Sequence, residues 1–210
     1  MTTSSPAISS PEAPRNRTRD NIVALAVNLI QERGFNAFSY QHIAAHLGIR
    51  KAAVHYHFPA KADLGVAVVE HYRRLFDDWR EEQRQQGAGP VELLRGYMAI
   101  SLHFLRNGGK ACPLGVMEAE FPSLPEVMCK AVSKLDTDLR AFVAGILEDG
   151  RRKNVIHFDG PPADKALVVT AALQGGLHIA RAAGARSFAR LVRQLETDLG
   201  LAPANRKERS

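Results

Sequence analysis

The chain has 210 residues, of which 45% are hydrophobic and 24% charged, with a net charge of +6 and a pI near 9.6. This composition supports a proper buried core and excludes a wholly disordered or fibrous chain. Two cysteines, Cys112 and Cys129, are too few for a disulfide framework or a zinc site; they fit a reducing, cytoplasmic location, and no metal or cofactor is expected.

Residues 1–16 are rich in Ser, Thr, Pro and Ala. They lack a basic stretch followed by an apolar one, so a disordered arm is expected here and not a signal peptide. Ile22, Leu25, Ala26, Leu29 and Arg33 then share one helical face, and Gly34 ends that helix. Ser39 caps a short second helix carrying Ile43, Ala44 and Leu47. Gly48 breaks it, a third helix runs from Arg50 to His57, and Pro59 stops that one. A long helix follows over Lys61–Gln86, with Leu64, Val68, His71, Leu75 and Trp79 along one side. Beyond the linker Gly87–Pro90, helices are predicted over Val91–Arg106, Leu124–Arg151, Ala163–Ala183 and Ser187–Gly200. Asn107–Pro122 holds a short helix, Val155–Phe158 a short extended stretch, and residues 203–210 a flexible charged tail. No run approaches the roughly 18 apolar residues of a bilayer span, so no membrane partner is expected. The fold class is all-α.

Charge is uneven along this order. Between Arg15 and Lys61 there are seven basic residues against two acidic, a net +5, while the remainder is near neutral. Within that basic stretch, Ser39–Phe58 has the dimensions of a helix-turn-helix, with Gly48 free to take a positive φ in the turn. Its second helix begins with Arg50 and Lys51, the end that enters the major groove in such motifs. Arginine bonds guanine in bidentate fashion, and the small Ala53 can meet a thymine methyl, with Ala52 also in the candidate contact set. Ser39, Gln41, His55, Tyr56, His57 and Lys61 complete the candidate contact set, Tyr56 and Lys61 toward phosphates.

The run "GFNAFSYQHIAAHLGIRKAAVHYHFPAKADL" resembles the DNA-binding head of the TetR/AcrR regulators, a likeness that covers Thr18–Tyr72. It implies a three-helix head (17–60) joined by the long helix to a helical ligand-binding and dimerisation body (61–202). It also implies a double-stranded DNA operator, a small-molecule effector and a homodimer. Two departures bear on capping: His42 stands where members often carry an acid, and Ala60 where they often carry Ser or Asn. The stretch "ACPLGVMEAEFPSLPEVM" resembles an electrophile-responsive subgroup of that family and puts Cys112 at its reactive cysteine. A helix start, Lys110 and Arg106 can lower a thiol's pKa and make it reactive; the alternative reading of Cys112 is a small buried hydrophobe. The ligand cavity is expected among Tyr97, Phe104, Cys112, Met117, Phe121, Gln174 and His178, with Trp79 at the cavity or the hinge. The resemblance places pairing on the last two helices, through Leu173, Leu177, Phe188, Leu191, Val192 and Leu195.

His42 and His46 stand four apart on one helix but lack a third ligand, so they read as solvated rather than metal-binding. No nucleophile elbow, phosphate loop, dinucleotide fingerprint or HExxH motif is present, so an enzyme is not expected. A non-sensing architectural DNA binder and a helical protein-binding module are the other classes compatible with the pattern.

Overall fold

The computed structural model describes residues 14–106 and 108–201. The expected arm, apart from residues 14–16, and the expected tail lie outside the described residues. Within them the chain is helical throughout. The helices are α1 (Pro14–Arg33), α2 (Tyr40–Leu47), α3 (Lys51–His57), α4 (Lys61–Gln85), α5 (Pro90–Arg106), α6 (Pro113–Ala119), α7 (Glu126–Arg152), α8 (Pro162–Ala183) and α9 (Ala185–Asp198), with one 3-10 turn at Phe121–Ser123. The first helix opens at Pro14, inside the stretch assigned to the arm. Val155–Phe158 is a bend and not a strand, pinned by the His157 N–H donating to the Leu199 carbonyl at 2.9 Å.

The helix ends follow local chemistry. Gly48 closes α2 at φ 63°, a conformation that costs glycine nothing. His42 completes a cap after all: its Nδ1 accepts the Ser39 N–H at 3.2 Å, an imidazole in the place of the usual carboxylate. At the start of α4, Asp63 Oδ2 takes the Ala60 N–H at 2.8 Å, so the reciprocal half of a capping box survives without a capping side chain at Ala60. Pro113 opens α6, where its missing N–H is no loss.

Two apolar clusters organise the packing. The first joins Ile22, Ile30, Ile43, Val54 and Phe58 of the head to Leu64 of α4 and to Leu114, Met117, Met128 and Leu135 of α6 and α7. The sequence boundary at 60/61 therefore falls inside one continuous core. The second cluster fills the space between α5, α7, α8 and α9, with Leu94, Met98, Leu147, Leu177 and Phe188 at its centre. Helices α8 and α9 approach closely at Gly176, where any added Cβ would collide with Leu191 and crowd Phe188.

Helix α8 departs from the expectation that no segment is apolar enough to span a bilayer. Its 22 residues meet a span's length, with a mean hydropathy of 1.2 over the most apolar window. The reason is that it is apolar on two sides. Val169, Leu173 and Leu177 face the core, and Leu167, Val168 and Ile179 are exposed at 50%, 56% and 61%.

Candidate nucleic-acid interface and the cavity behind it

The head is held as a rigid tripod. Tyr40, at the first position of α2, donates its hydroxyl to the Phe58 carbonyl at 2.8 Å, which ties the start of α2 to the end of α3. Burial, then the Asp63 charge, pushes that phenol up to about 12, so it stays a donor. Ile43, Ala44 and Val54 are buried between the two helices, and the opposite faces are left to solvent.

That outer face carries the predicted contact residues. Ser39, Gln41, Arg50, Lys51, Ala52, His55 and Tyr56 are exposed, Tyr56 at 60% although it is a large aromatic. Arg50 is the N-cap of α3, with extended backbone, and Lys51 is its first helical residue. Ala53 and His57 are half-buried. An exposed face that combines two cations at a helix start, small residues and an aromatic fits a major groove.

Lys61 departs from its assigned role at a phosphate. Its ammonium donates to the carbonyls of Phe35 at 2.6 Å and Phe38 at 2.5 Å, and lies over both rings. The charge is spent closing the α1–α2 turn. Burial lowers its pKa, opposed by the Glu120 carboxylate.

Behind the head lies a cavity of ≈ 420 Å³ walled by α1, α4, α5, α6 and α7. Of the predicted lining, Tyr97, Phe104 and Cys112 face it, and so does Trp79. The others lie elsewhere. Met117 is fully buried in the first core cluster, Phe121 sits partly exposed on the 3-10 turn, and His178 is exposed on α8. Gln174 packs beside Gly115 and hydrogen-bonds Glu118. The sequence reading missed Asn28 and Gln31 of α1 and Tyr72 and Phe76 of α4. Gln31 had a signal, being a polar residue at a core-facing position of an apolar helix; it is 4% exposed.

The cavity wall is wired to the head. Gln31 Nε2 donates to the Ala111 carbonyl at 3.1 Å, and Lys110 Nζ to Asn28 Oδ1 at 2.5 Å. At the other end of α6, the Glu120 carboxylate accepts the Phe35 N–H at 2.6 Å, and the backbone and side-chain N–H groups of Asn36, each at 3.3 Å. Helix α6 thus touches the cavity at its start, through Pro113 and Leu114, and grips the α1–α2 turn just past its end.

Cys112 is the N-cap of α6, where the backbone N–H groups of Leu114 and Gly115 favour its thiolate. Burial outweighs them and pushes the thiol up, as the buried-hydrophobe reading has it and against activation by a helix start and cations. The Lys110 ammonium is turned to Asn28.

The predicted pairing residues are consumed within the chain. Leu173, Leu177, Phe188 and Leu195 are buried in the second cluster, with Leu191 and Val192 half-buried against it. Among the described residues no group of three or more His, Cys, Asp or Glu is placed to hold a metal.

Known proteins share both parts of this architecture. The family model described as "Bacterial regulatory proteins, tetR family" matches residues 22–68, and that of the "Tetracyclin repressor-like, C-terminal domain" matches residues 90–195. The HTH-type transcriptional repressor NemR of Escherichia coli K12 is 26% identical over 157 residues, 73% of this chain and 79% of that protein. A TetR-family transcriptional regulator from Agrobacterium tumefaciens superposes with a TM-score of 0.83 at 28% identity, covering 88% of this chain and 98% of that one. A TetR transcriptional regulator from Legionella pneumophila does so at 0.77 and 28% identity, covering 87% and 97%. With its head and body both matched and its helices in the same arrangement, the chain belongs to the TetR family of bacterial transcriptional regulators.

Proposed function

We propose that this chain is a cytoplasmic repressor that binds a palindromic operator as a homodimer and is released by a small molecule in the cavity. The observation that carries the reading is that one wall of the cavity is the head itself. Val27, Asn28 and Gln31 belong to α1, and α6 joins the cavity to the α1–α2 turn through Glu120. A molecule that fits one arrangement of these helices and not another shifts the orientation of α3. A near-complete switch takes about 5.5 kcal/mol of differential binding.

In this account Arg50 and Lys51 reach base edges, Ala52 and Ala53 allow close approach, and Ser39, Gln41, His55, Tyr56 and His57 position the backbone. Two heads must meet half-sites at a fixed spacing, which calls for a two-fold dimer. The surface suited to pairing is the outer stripe of α8, with Leu167, Val168, Ala171, His178, Ile179 and Ala182 exposed. An apolar stripe of this kind on a helix already packed on its other side fits burial against a second copy.

Footprinting on DNA flanking the chain's own gene tests this. The parent protein gives a footprint with two-fold symmetry, and Arg50→Ala or Lys51→Ala each moves it to at least about fivefold higher protein concentration. A footprint that neither substitution moves contradicts the assignment of α3 as the reading helix.

A further inference from the structure

Among the described residues nineteen line the cavity, and none of these is a carboxylate. Those lining groups whose titration is shifted are held neutral. Burial pushes the Tyr72 and Tyr97 phenols well above their usual range and the Cys112 thiol up. Burial, followed by the Arg74 charge, pushes the His71 imidazole down. Among the described residues Lys110 is the one lysine or arginine in the wall. Its ammonium donates to a neutral amide oxygen, Asn28 Oδ1 at 2.5 Å, and it pairs with no carboxylate among the described residues. A half-buried ammonium in this state has lost part of its hydration without gaining a counter-charge.

Along α4 the wall changes character: beside His71 the aromatics Tyr72 and Phe104 share their end with polar groups, and at the other end the aromatics stand together. From His71 to Trp79 that helix advances about 12 Å at 1.5 Å per residue. The His71 end lies near α1, close enough for the Asp20 charge to act on the imidazole, and α1 brings Asn28, Gln31 and the bonded Lys110. At the far end Phe76 and Trp79 stack with centroids 5.7 Å apart, and Tyr97 meets Phe76 edge-on at 6.4 Å. A flat apolar body suits the second end, and an anion suits the first. A cation would meet the Lys110 ammonium, and the acids whose charge reaches the wall, Asp20, Glu118 and Asp136, stand outside its lining. A neutral hydrocarbon would leave the ammonium as it is.

We infer that the cavity takes an aromatic acid, its rings against Phe76, Trp79 and Tyr97 and its single anionic group on Lys110. This rests on reading the cavity as the effector site. The charge-assisted bond to Lys110 sets the preference for an acid over its neutral analogue.

Calorimetric titration of the full chain with three probes of one shape tests the inference: 2-naphthoate, 2-naphthamide and 2-naphthylmethylammonium. The naphthoate binds at least tenfold more tightly than the amide, and the ammonium compound does not bind. In Lys110→Gln the tenfold preference disappears while the amide binds as before. Amide or ammonium binding equal to the acid, or naphthoate affinity unchanged in Lys110→Gln, overturns the acid class and leaves a small-molecule cavity standing. Heat from none of the three, with operator affinity unmoved by each, overturns both.

Discussion

Arg50 and Lys61 both bring positive charge to the head, and their surroundings give them opposite uses. Arg50 is exposed at the start of α3; Lys61 is half-buried, closing two carbonyls of the α1–α2 turn. Arg50→Ala is expected to weaken operator binding by about 1–3 kcal/mol with the melting temperature unchanged. Lys61→Ala strands two acceptors and is expected to lower stability by about 1–3 kcal/mol. Thermal melts and DNA titrations on the same two variants separate the roles; a Lys61→Ala protein that melts like the parent but binds DNA poorly contradicts this division. Cys112, its thiol pushed up by burial, is expected to react with iodoacetamide more slowly than free cysteine at neutral pH, and faster as pH rises. Mass spectrometry in a Cys129→Ser background reads that rate. His71 gives the molecule an acid sensitivity. Its folded pKa lies below the ordinary 6.5, so below that pH the unfolded chain binds the extra proton first and stability falls. Between about pH 7.5 and 5.5 the parent should lose more stability to denaturant than His71→Gln does; equal losses rule out this source.

At the scale of elements, α8 and α6 carry the account. Helix α8 spends Leu173 and Leu177 on the core and leaves Val168 and Ile179 outside. Ile179→Glu should yield monomers by light scattering, with the helical signal intact; a persistent dimer moves the pairing surface elsewhere. Helix α6 joins cavity and head through Glu120. Glu120→Ala should raise amide exchange at Phe35 and Asn36 above that of α3, and unchanged protection there would deny the link. The helices themselves were legible in sequence because period, caps and glycines act locally: α4, α5 and α8 differ from the sequence reading by a residue or so at their ends. The apolar period of α9 was legible too, but a period says that Phe188 and Leu195 are buried, not what buries them. The same limit hid the cavity's α1 wall and Glu120, whose partners stand more than eighty residues away. Lys61 was misread because its motif position names a residue type and not the direction of its side chain.

For the whole molecule, a basic head shares one core with α6 and α7, while a second core secures α8 and α9. Coupling between effector and DNA then needs no separate hinge, because the cavity touches the head directly. The most direct test of this account is fluorescence anisotropy with duplexes from the DNA flanking the chain's own gene, over a series of salt concentrations. The account predicts two chains per duplex and an affinity at least about a thousandfold above that for scrambled sequence. The logarithm of affinity should also fall steeply and linearly with the logarithm of salt, as released counterions require. Equal affinity for flanking and scrambled duplexes, with the same salt slope, would contradict sequence reading by α3 and with it the repressor assignment.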